Sequence, residues 1–198
     1  MKNQLVLLFM ASLFTWIAPS FAAEYAVDGA HSHVGFQIRH LFSKTSGEFK
    51  KFDGSFNFDA NKVDASKVQF TIQSESINTN NDDRDKHLRT APDLLDTKKF
   101  PTITFTSKKI TAAGEKKFKL EGDFTLHGIT KPVTFDVEFL GADKDPWGTQ
   151  KAAYTATTQI NRKDFGITFN KVLESGRVMV GEEVTITVDV EGNEKKSK

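Results

Sequence analysis

Three of the chain's five histidines fall within ten residues, "HSHVGFQIRH", from His31 to His40. Imidazoles at that density invite a metal-site reading, but the spacing works against it. Side chains alternate faces along an extended strand. His33 therefore points away from the apolar side and His40 points with it, while His31 shares the face of His33 only if the strand extends backward. Two histidines at i and i+2 without a third ligand nearby are a weak signal for a metal. We expect no metal site. The plainer reading is a turn of Asp28, His31 and Ser32 that hydrogen-bonds the strand entrance, with His40 as a polar group near the inner rim.

A second cluster, "RDKHLR" (residues 84–89), sets Asp85 two positions before His87. A carboxylate and an imidazole could act as a general acid–base dyad. No serine or threonine stands out as a nucleophile, and nothing in the chain supplies an oxyanion hole. A better use of these residues is a lid fixed by ion pairs of Arg84 and Asp85, with Arg84, His87 or Arg89 meeting a ligand's polar head. On this reading the chain is a binding protein with no catalytic residue and no cofactor. An enzyme processing a lipid head through Asp85 and His87 is the rival.

Composition narrows the field further. There is no cysteine, which excludes thiolate chemistry, disulfides and cysteine-bound metal. Residues 1–22 carry Lys2, an apolar run from Leu5 to Ala18, and small residues Ser20 and Ala22 before the expected cleavage point. This is the layout of a cleavable secretory signal, and the run is too short for a comfortable membrane span. No later segment is apolar enough to span a membrane. We expect residues 1–22 to be removed and residues 23–198 to form one exported domain, with the periplasm as its destination. Lys2 leaves with the leader, so the 27 basic residues fall to 26 against 26 acidic ones. A neutral chain without a basic block offers nucleic acid no electrostatic footprint. Fifteen of the eighteen phenylalanines lie after Ala22, beside only Tyr25, Tyr154 and Trp147 among other aromatics. That balance points to a greasy interior more than to a hydrogen-bonding surface.

The elements that must position these residues are strands. Apolar residues recur at every second position in eight stretches, the signature of half-buried strands. The inward sets are Val34, Phe36, Ile38 and His40; Phe52, Gly54, Phe56 and Phe58; Val68, Phe70 and Ile72; Ile103, Phe105 and Ser107; Phe118, Leu120, Gly122, Phe124 and Leu126; Val133, Phe135, Val137 and Phe139; Ala152, Tyr154, Ala156, Thr158 and Ile160; and Val184, Ile186, Val188 and Val190. Phe49 falls out of register, which predicts a bend or bulge near Lys50. Short polar links predict antiparallel neighbours. Two stretches break the pattern. Residues 80–96 predict a short helix capped by Asp82 or Asp83, stopped at Ala91-Pro92, with Leu94 and Leu95 docking a second turn. "NRKDFG" (residues 161–166) predicts one helical turn. The fold class is all-β: a single eight-stranded antiparallel barrel with short helical segments at one end. Such a barrel is either filled by its side chains or holds one small ligand. Gly54, Gly122, Ala152 and Ala156 on the inward register take volume out of the interior and favour a cavity.

Taken in order, these motifs resemble the YceI-like family of periplasmic polyisoprenoid-binding proteins. The resemblance rests on Asp28-x-x-His31-Ser32 with Phe36 and His40, "GEFKKFDG", "RDKHLR", "FPTITFTS", "GDFTLHGITKPV", "DPWG", "RKDFGI" and "VGEEVTITVDVE", and it covers nearly all of residues 23–198. It implies a lipocalin-like barrel whose elongated apolar pore takes up an isoprenoid chain, such as a polyprenyl phosphate or a quinone-related lipid. It places Arg84, Asp85, His87 and Leu88 in the lid. The chain departs from the family pattern at "RTAPDLLD", which runs one residue longer and carries Leu94 and Leu95 where aromatics are frequent. The Gly-x-Trp start of true lipocalins is absent.

The ligand-binding residues expected from register and resemblance are Phe36, Ile38, His40, Phe70, Ile72, Arg84, His87, Phe105, Phe124, Leu126, Phe135 and Val137. The expected partner is an isoprenoid or other long-chain amphiphilic lipid. A fatty acid or fatty amide in the same pore is the alternative, and self-association into a homodimer stays open.

Overall fold

The computed structural model describes residues 23–58 and 63–195; the leader expected at residues 1–22 lies outside them. Eleven strands and one α-helix follow in chain order: β1 (Ala23–Val27), β2 (His33–His40), β3 (Ser43–Phe49), β4 (Phe52–Phe58), β5 (Lys67–Gln73), β6 (Ile77–Asn78), α1 (Asp82–Thr90), β7 (Thr102–Gly114), β8 (Lys117–Leu126), β9 (Ile129–Lys144), β10 (Gln150–Asn161) and β11 (Val180–Glu194). Every pairing is antiparallel. Around the circumference the order β1-β4-β5-β7-β8-β9-β10-β11 returns to β1, closing an eight-stranded barrel.

Three of the eight staves are broken in two. Along β11, β1 pairs near Gly192 to Glu194 and β2 takes over from Asp189 to Val180. In the same way β3 runs beside β2 where β4 runs beside β1, and β6 continues the line of β5 beside β3. The bend predicted near Lys50 is the β3–β4 break. It is stitched to the β5–β6 break by Lys50 N–H donating to the Ser76 carbonyl at 3.1 Å, Lys51 N–H to Ser76 Oγ at 3.0 Å, and Gln73 N–H to the Lys51 carbonyl at 2.9 Å. Strand β1 was not among the expected strands. It is held by pairing with β4 and β11.

The turn between β1 and β2 is the predicted Asp28–His31–Ser32 device. Asp28 accepts from Ala30 N–H at 3.0 Å and meets His31 Nδ1 at 3.0 Å. Ser32 Oγ accepts from Glu191 N–H at 3.0 Å on β11. Lys151 Nζ lies between Asp28, at 3.2 Å, and Glu191, at 2.7 Å. The ligand atoms of Asp28, His31 and Glu191 come within 4.8 Å of one another, and the positive charge between the two carboxylates is this lysine. The Asp28 carboxyl is held well below the usual carboxylate range, by His31 above all and then by Lys151, Ala30 N–H and Asn193, against the opposing effect of burial.

Phenylalanines build the inner wall, and glycines let them lie against it. A methyl at Gly54 would fall 2.6 Å from the Gln69 carbonyl oxygen and 2.7 Å from the Phe70 ring. One at Gly122 would overlap the Thr106 carbonyl and the Phe105 ring, and one at Gly47 would overlap Phe36. The inward glycines therefore leave no holes themselves, contrary to expectation; neighbouring rings occupy their volume. The opening is displaced to the barrel axis. At one end an aromatic floor closes the interior: Tyr25 stacks on Phe56 at 5.1 Å, and Tyr154 meets Phe56 edge-on at 5.3 Å and Phe139 at 5.1 Å. At the other end lie α1, the 92–100 turns and the 3-10 turn Arg162–Phe165.

Two outcomes follow for stability. Gly122→Ala should cost about 1–3 kcal/mol, because the Thr106 backbone or the Phe105 ring must move; urea unfolding should show a lower midpoint at an unchanged slope. Gly29→Ala, where a methyl meets nothing within 4 Å, is the control that should change little. For Asp28, a depressed folded pKa means stabilisation that is complete above the unfolded value of about 3.9 and is lost as pH falls through the folded value. Asp28→Asn should lower stability at neutral pH and flatten its decline below about pH 4, read from chemical denaturation across that range.

Candidate functional site

The barrel encloses a cavity of about 740 Å³, within the roughly 300–1,000 Å³ typical of small-molecule sites. Alternation decides its lining. Strand β2 contributes Val34, Phe36, Ile38 and His40; β5 contributes Val68, Phe70 and Ile72; β7 contributes Ile103 and Phe105. Opposite them stand Phe118, Leu120, Phe124 and Leu126 of β8, Phe135 and Val137 of β9, Tyr154, Ala156 and Ile160 of β10, and Val184, Ile186, Val188 and Val190 of β11. Ile110 also faces inward, three residues past Ser107, the expected end of the inward set on β7. A register shift between Ser107 and Lys109 turns it back to the inside, and a bulge of that kind leaves no mark on a period-two pattern.

Charged lining gathers at the α1 end. Asn81 caps α1, accepting from Arg84 N–H at 2.9 Å with its own backbone extended. The expected caps, Asp82 and Asp83, lie instead inside the first turn, where a carboxylate still favours the positive end of the helix dipole. Asp85 is buried at 2% exposure and accepts from Thr79 N–H at 2.9 and 3.1 Å and from Thr79 Oγ1. Arg84 donates through Nε to Thr79 Oγ1 and through Nη2 to the Thr79 carbonyl, each at 2.7 Å. The expected ion pairing of Arg84 and Asp85 is thus replaced by a shared grip on one threonine, which fastens α1 to the end of β6.

This geometry also separates the suggested dyad. The Asp85 oxygens are engaged by Thr79, while the His87 ring meets Phe169 edge-on at 4.9 Å. Two residues apart on a helix is about 200° of rotation, so the two side chains leave in nearly opposite directions. Arg89 donates Nη2 to the Ile77 carbonyl at 3.1 Å and is not part of the cavity wall. The chain after the helix folds back, with Leu95 N–H on the Leu88 carbonyl at 3.0 Å. Leu88, Leu94 and Leu95 thereby close over the cavity. Thr168 and Phe169 N–H groups both bond the Asp93 carbonyl at 3.0 Å, tying the segment after the 3-10 turn to this lid.

The structure brings Phe36, Ile38, His40, Phe70, Ile72, Arg84, His87, Phe105, Phe124, Leu126, Phe135 and Val137 onto one cavity wall. The histidine-rich stretch divides: His31 serves the β1–β2 turn, His33 faces out toward Glu48 at 3.4 Å, and only His40 lines the cavity. Sequence reasoning missed Arg162. It lies at 4% exposure, donates Nε to the Gly181 carbonyl and Nη1 to the Ile167 carbonyl, each at 2.8 Å, and lines the same cavity. Burial presses its guanidinium below its ordinary pKa, with Glu182 acting in the opposite sense. A signal was present: the inward register from Ala152 to Ile160 reaches residue 162 at its next step.

Comparison with known proteins agrees with this architecture. The YceI-like domain matches residues 25–192. A UPF0312 protein of Vibrio cholerae serotype O1 is 40% identical over 170 residues, covering 84% of this chain and 89% of that protein. The crystal structure of Burkholderia cenocepacia BcnA is 25% identical, with a TM-score of 0.74 over 83% of this chain and 98% of that one. A polyisoprenoid binding domain from Saccharophagus degradans, implicated in plant cell wall breakdown, shares the fold at 16% identity, with a TM-score of 0.62 over 88% of this chain and all of its own. With the domain matched from the first strand of the barrel to its last, the chain belongs to the YceI-like family.

Proposed function

We propose that this chain is a periplasmic carrier that holds the tail of an isoprenoid-type lipid, a polyprenyl phosphate or a quinone-related chain, along the barrel axis. The observation that carries this reading is the cavity itself: apolar along most of its wall, with charged lining only under α1. The polyisoprenoid-binding description of the Saccharophagus degradans domain of the same fold supports it. The leader-like composition of residues 1–22 supports export. With Asp85 engaged by Thr79, the lid is built to close over a guest, and the protein's role is binding and release, not turnover.

Energetics permit this without a charged anchor. About twelve methylene-sized groups at about 0.8 kcal/mol each give roughly 10 kcal/mol gross. Association and ordering consume a large share of that, and micromolar binding still survives. A wall of this kind reads the length and girth of a chain, since each methylene discriminates weakly.

Phe70 is half-buried and faces the cavity from β5, so Phe70→Arg puts a charge on the lipid path at the cost of the ring's packing on Gly54 and Phe52. The variant should keep its β-sheet circular dichroism and lose co-purifying lipid, and Phe124→Arg should do the same. Mass spectrometry of organic extracts, variant against wild type, measures this. Equal lipid in both would overturn the assignment of the cavity.

A further inference from the structure

Two tips at the α1 end of the barrel hold apolar side chains out in water. The turn between β2 and β3 carries Phe42, 86% exposed. The hairpin of residues 170–180, which leads into β11, carries Val172, 70% exposed, and its bridge partner Val178. The tips form one spur: Leu41 N–H donates to the Met179 carbonyl at 2.8 Å, and the Arg177 guanidinium lies 5.8 Å from the centre of the Phe42 ring. Asn170 pins the base of the hairpin by bonding both the N–H and the carbonyl of Val180. The spur is also the rim of the cavity, since His40 on one tip and Lys171, Met179 and Val180 on the other line its wall. Exposed apolar residues scattered singly are ordinary, whereas a contiguous group of them at a cavity mouth marks a contact surface.

Backbone and charge both run against local stability here. Leu41 and Phe42 make a two-residue turn between the paired residues His40 and Ser43. Leu41 sits at φ +51°, a left-handed conformation that suits glycine or asparagine and strains a leucine. Arg39 and Lys44 stand directly opposite each other on β2 and β3, a like-charge pairing that destabilises a sheet. The hairpin adds Lys171 and Arg177 against one carboxylate, Glu174. None of these four cations forms an ion pair among the described residues. The other pole is different: its exposed Trp147 lies in a turn of mixed charge, with Asp143, Lys144 and Asp145. Four unanswered cations around three exposed apolar side chains call for an occupant that is anionic at its surface and oily just beneath. A second copy of the chain would bring the same four cations against them.

We propose that this spur docks the protein on an anionic bilayer surface. Phe42, Val172 and Val178 enter the boundary between head groups and acyl chains, and Arg39, Lys44, Lys171 and Arg177 meet the anionic charge of the leaflet. Docked in this way, the cavity mouth faces the leaflet, and a lipid crosses from bilayer to barrel along the spur without traversing water. The proposal deepens the carrier reading above, on which the exchange of lipid rests, by naming the surface where exchange takes place. A shallow apolar insertion and a small cluster of cations are each a weak attachment, and together they hold reversibly, as a protein that must leave again requires.

Vesicle co-sedimentation tests it, with every protein expressed from the full chain so that all comparisons share the same N-terminus. Wild type should bind vesicles of phosphatidylglycerol mixed with phosphatidylcholine at least about tenfold more tightly than vesicles of phosphatidylcholine alone. Phe42→Ser should weaken binding to the mixed vesicles about tenfold. The double variant Lys44→Gln, Arg177→Gln should weaken it by a similar factor, about tenfold, and flatten its dependence on salt. These side chains are exposed and outside the cavity wall, so urea midpoints and the affinity for geranylgeraniol titrated in solution should match wild type. Val172→Ser, on the other tip, repeats the test should Phe42→Ser fail to fold. Wild type that ignores the mixed vesicles, or binds them equally well with Phe42→Ser and Val172→Ser, sinks the docking surface; geranylgeraniol binding then still upholds the carrier reading. Dimerisation that depends on Phe42, without vesicle binding, assigns the spur to a second copy and refutes the proposal. Vesicle binding that depends on Phe42 in a protein that takes up no geranylgeraniol supports docking and refutes the carrier reading instead.

Discussion

A phenylalanine ring laid flat on a glycine of the adjacent strand is the contact on which this interior depends. Eight strands set a barrel radius at which side chains can just fill the inside or leave room for one slender guest. The inner face carries enough phenylalanine to fill it. Phe36 over Gly47, Phe70 over Gly54 and Phe105 over Gly122 turn ring volume sideways into the wall, where a Cβ would otherwise stand. The space these rings would have taken at the centre remains open. Hydrophobic burial and an empty axis, which compete in most small barrels, are reconciled by putting the smallest residue beside the largest.

The remaining architecture turns that open axis into a container with one charged end. The aromatic cluster of Tyr25, Phe56, Phe139 and Tyr154 blocks the far end. Breaking three adjacent staves would weaken a sheet unless the breaks were stitched, and they are: Lys50, Lys51 and Ser76 join two of them, and the Asp28–Lys151–Glu191 network with Ser32 secures the third. At the near end, Thr79 holds both Arg84 and Asp85, so the helix that covers the cavity is fixed by buried polar bonds to β6 and closed by leucines beneath. In the "RDKHLR" stretch Arg84 and Asp85 are committed to Thr79 and Arg89 to the Ile77 carbonyl, while His87 faces the cavity mouth.

Much of the site was legible because strand alternation is a local property. Phe36, Ile38, Phe70, Ile72, Phe105, Phe124, Leu126, Phe135 and Val137 reach the cavity since each sits at the right parity on a strand whose polar partners mark the outside. What escaped was whatever depends on a change of parity or on a distant neighbour. Ile110 came inward through a bulge. Asn81, not Asp82 or Asp83, became the cap because its backbone is the last extended one before the helix. Arg162 continues the inward series of β10 by one step, yet the stretch around it read only as one helical turn.

Taken alone, the order of residues determined the fold class, the inward side of each main strand, the turn at Asp28–Ser32 and the positions of the helical breaks, because each is written in contacts or periods a few residues long. Tertiary structure decided what lies inside. That phenylalanine volume sits over glycine and not on the axis, that Asp85 meets Thr79 and not His87, and that Arg162 is buried against two backbone carbonyls all depend on which strands become neighbours when β11 closes on β1 and β2. Closure is a long-range event, so its consequences for the cavity are carried by pairs of residues far apart in the chain, and no local pattern records them.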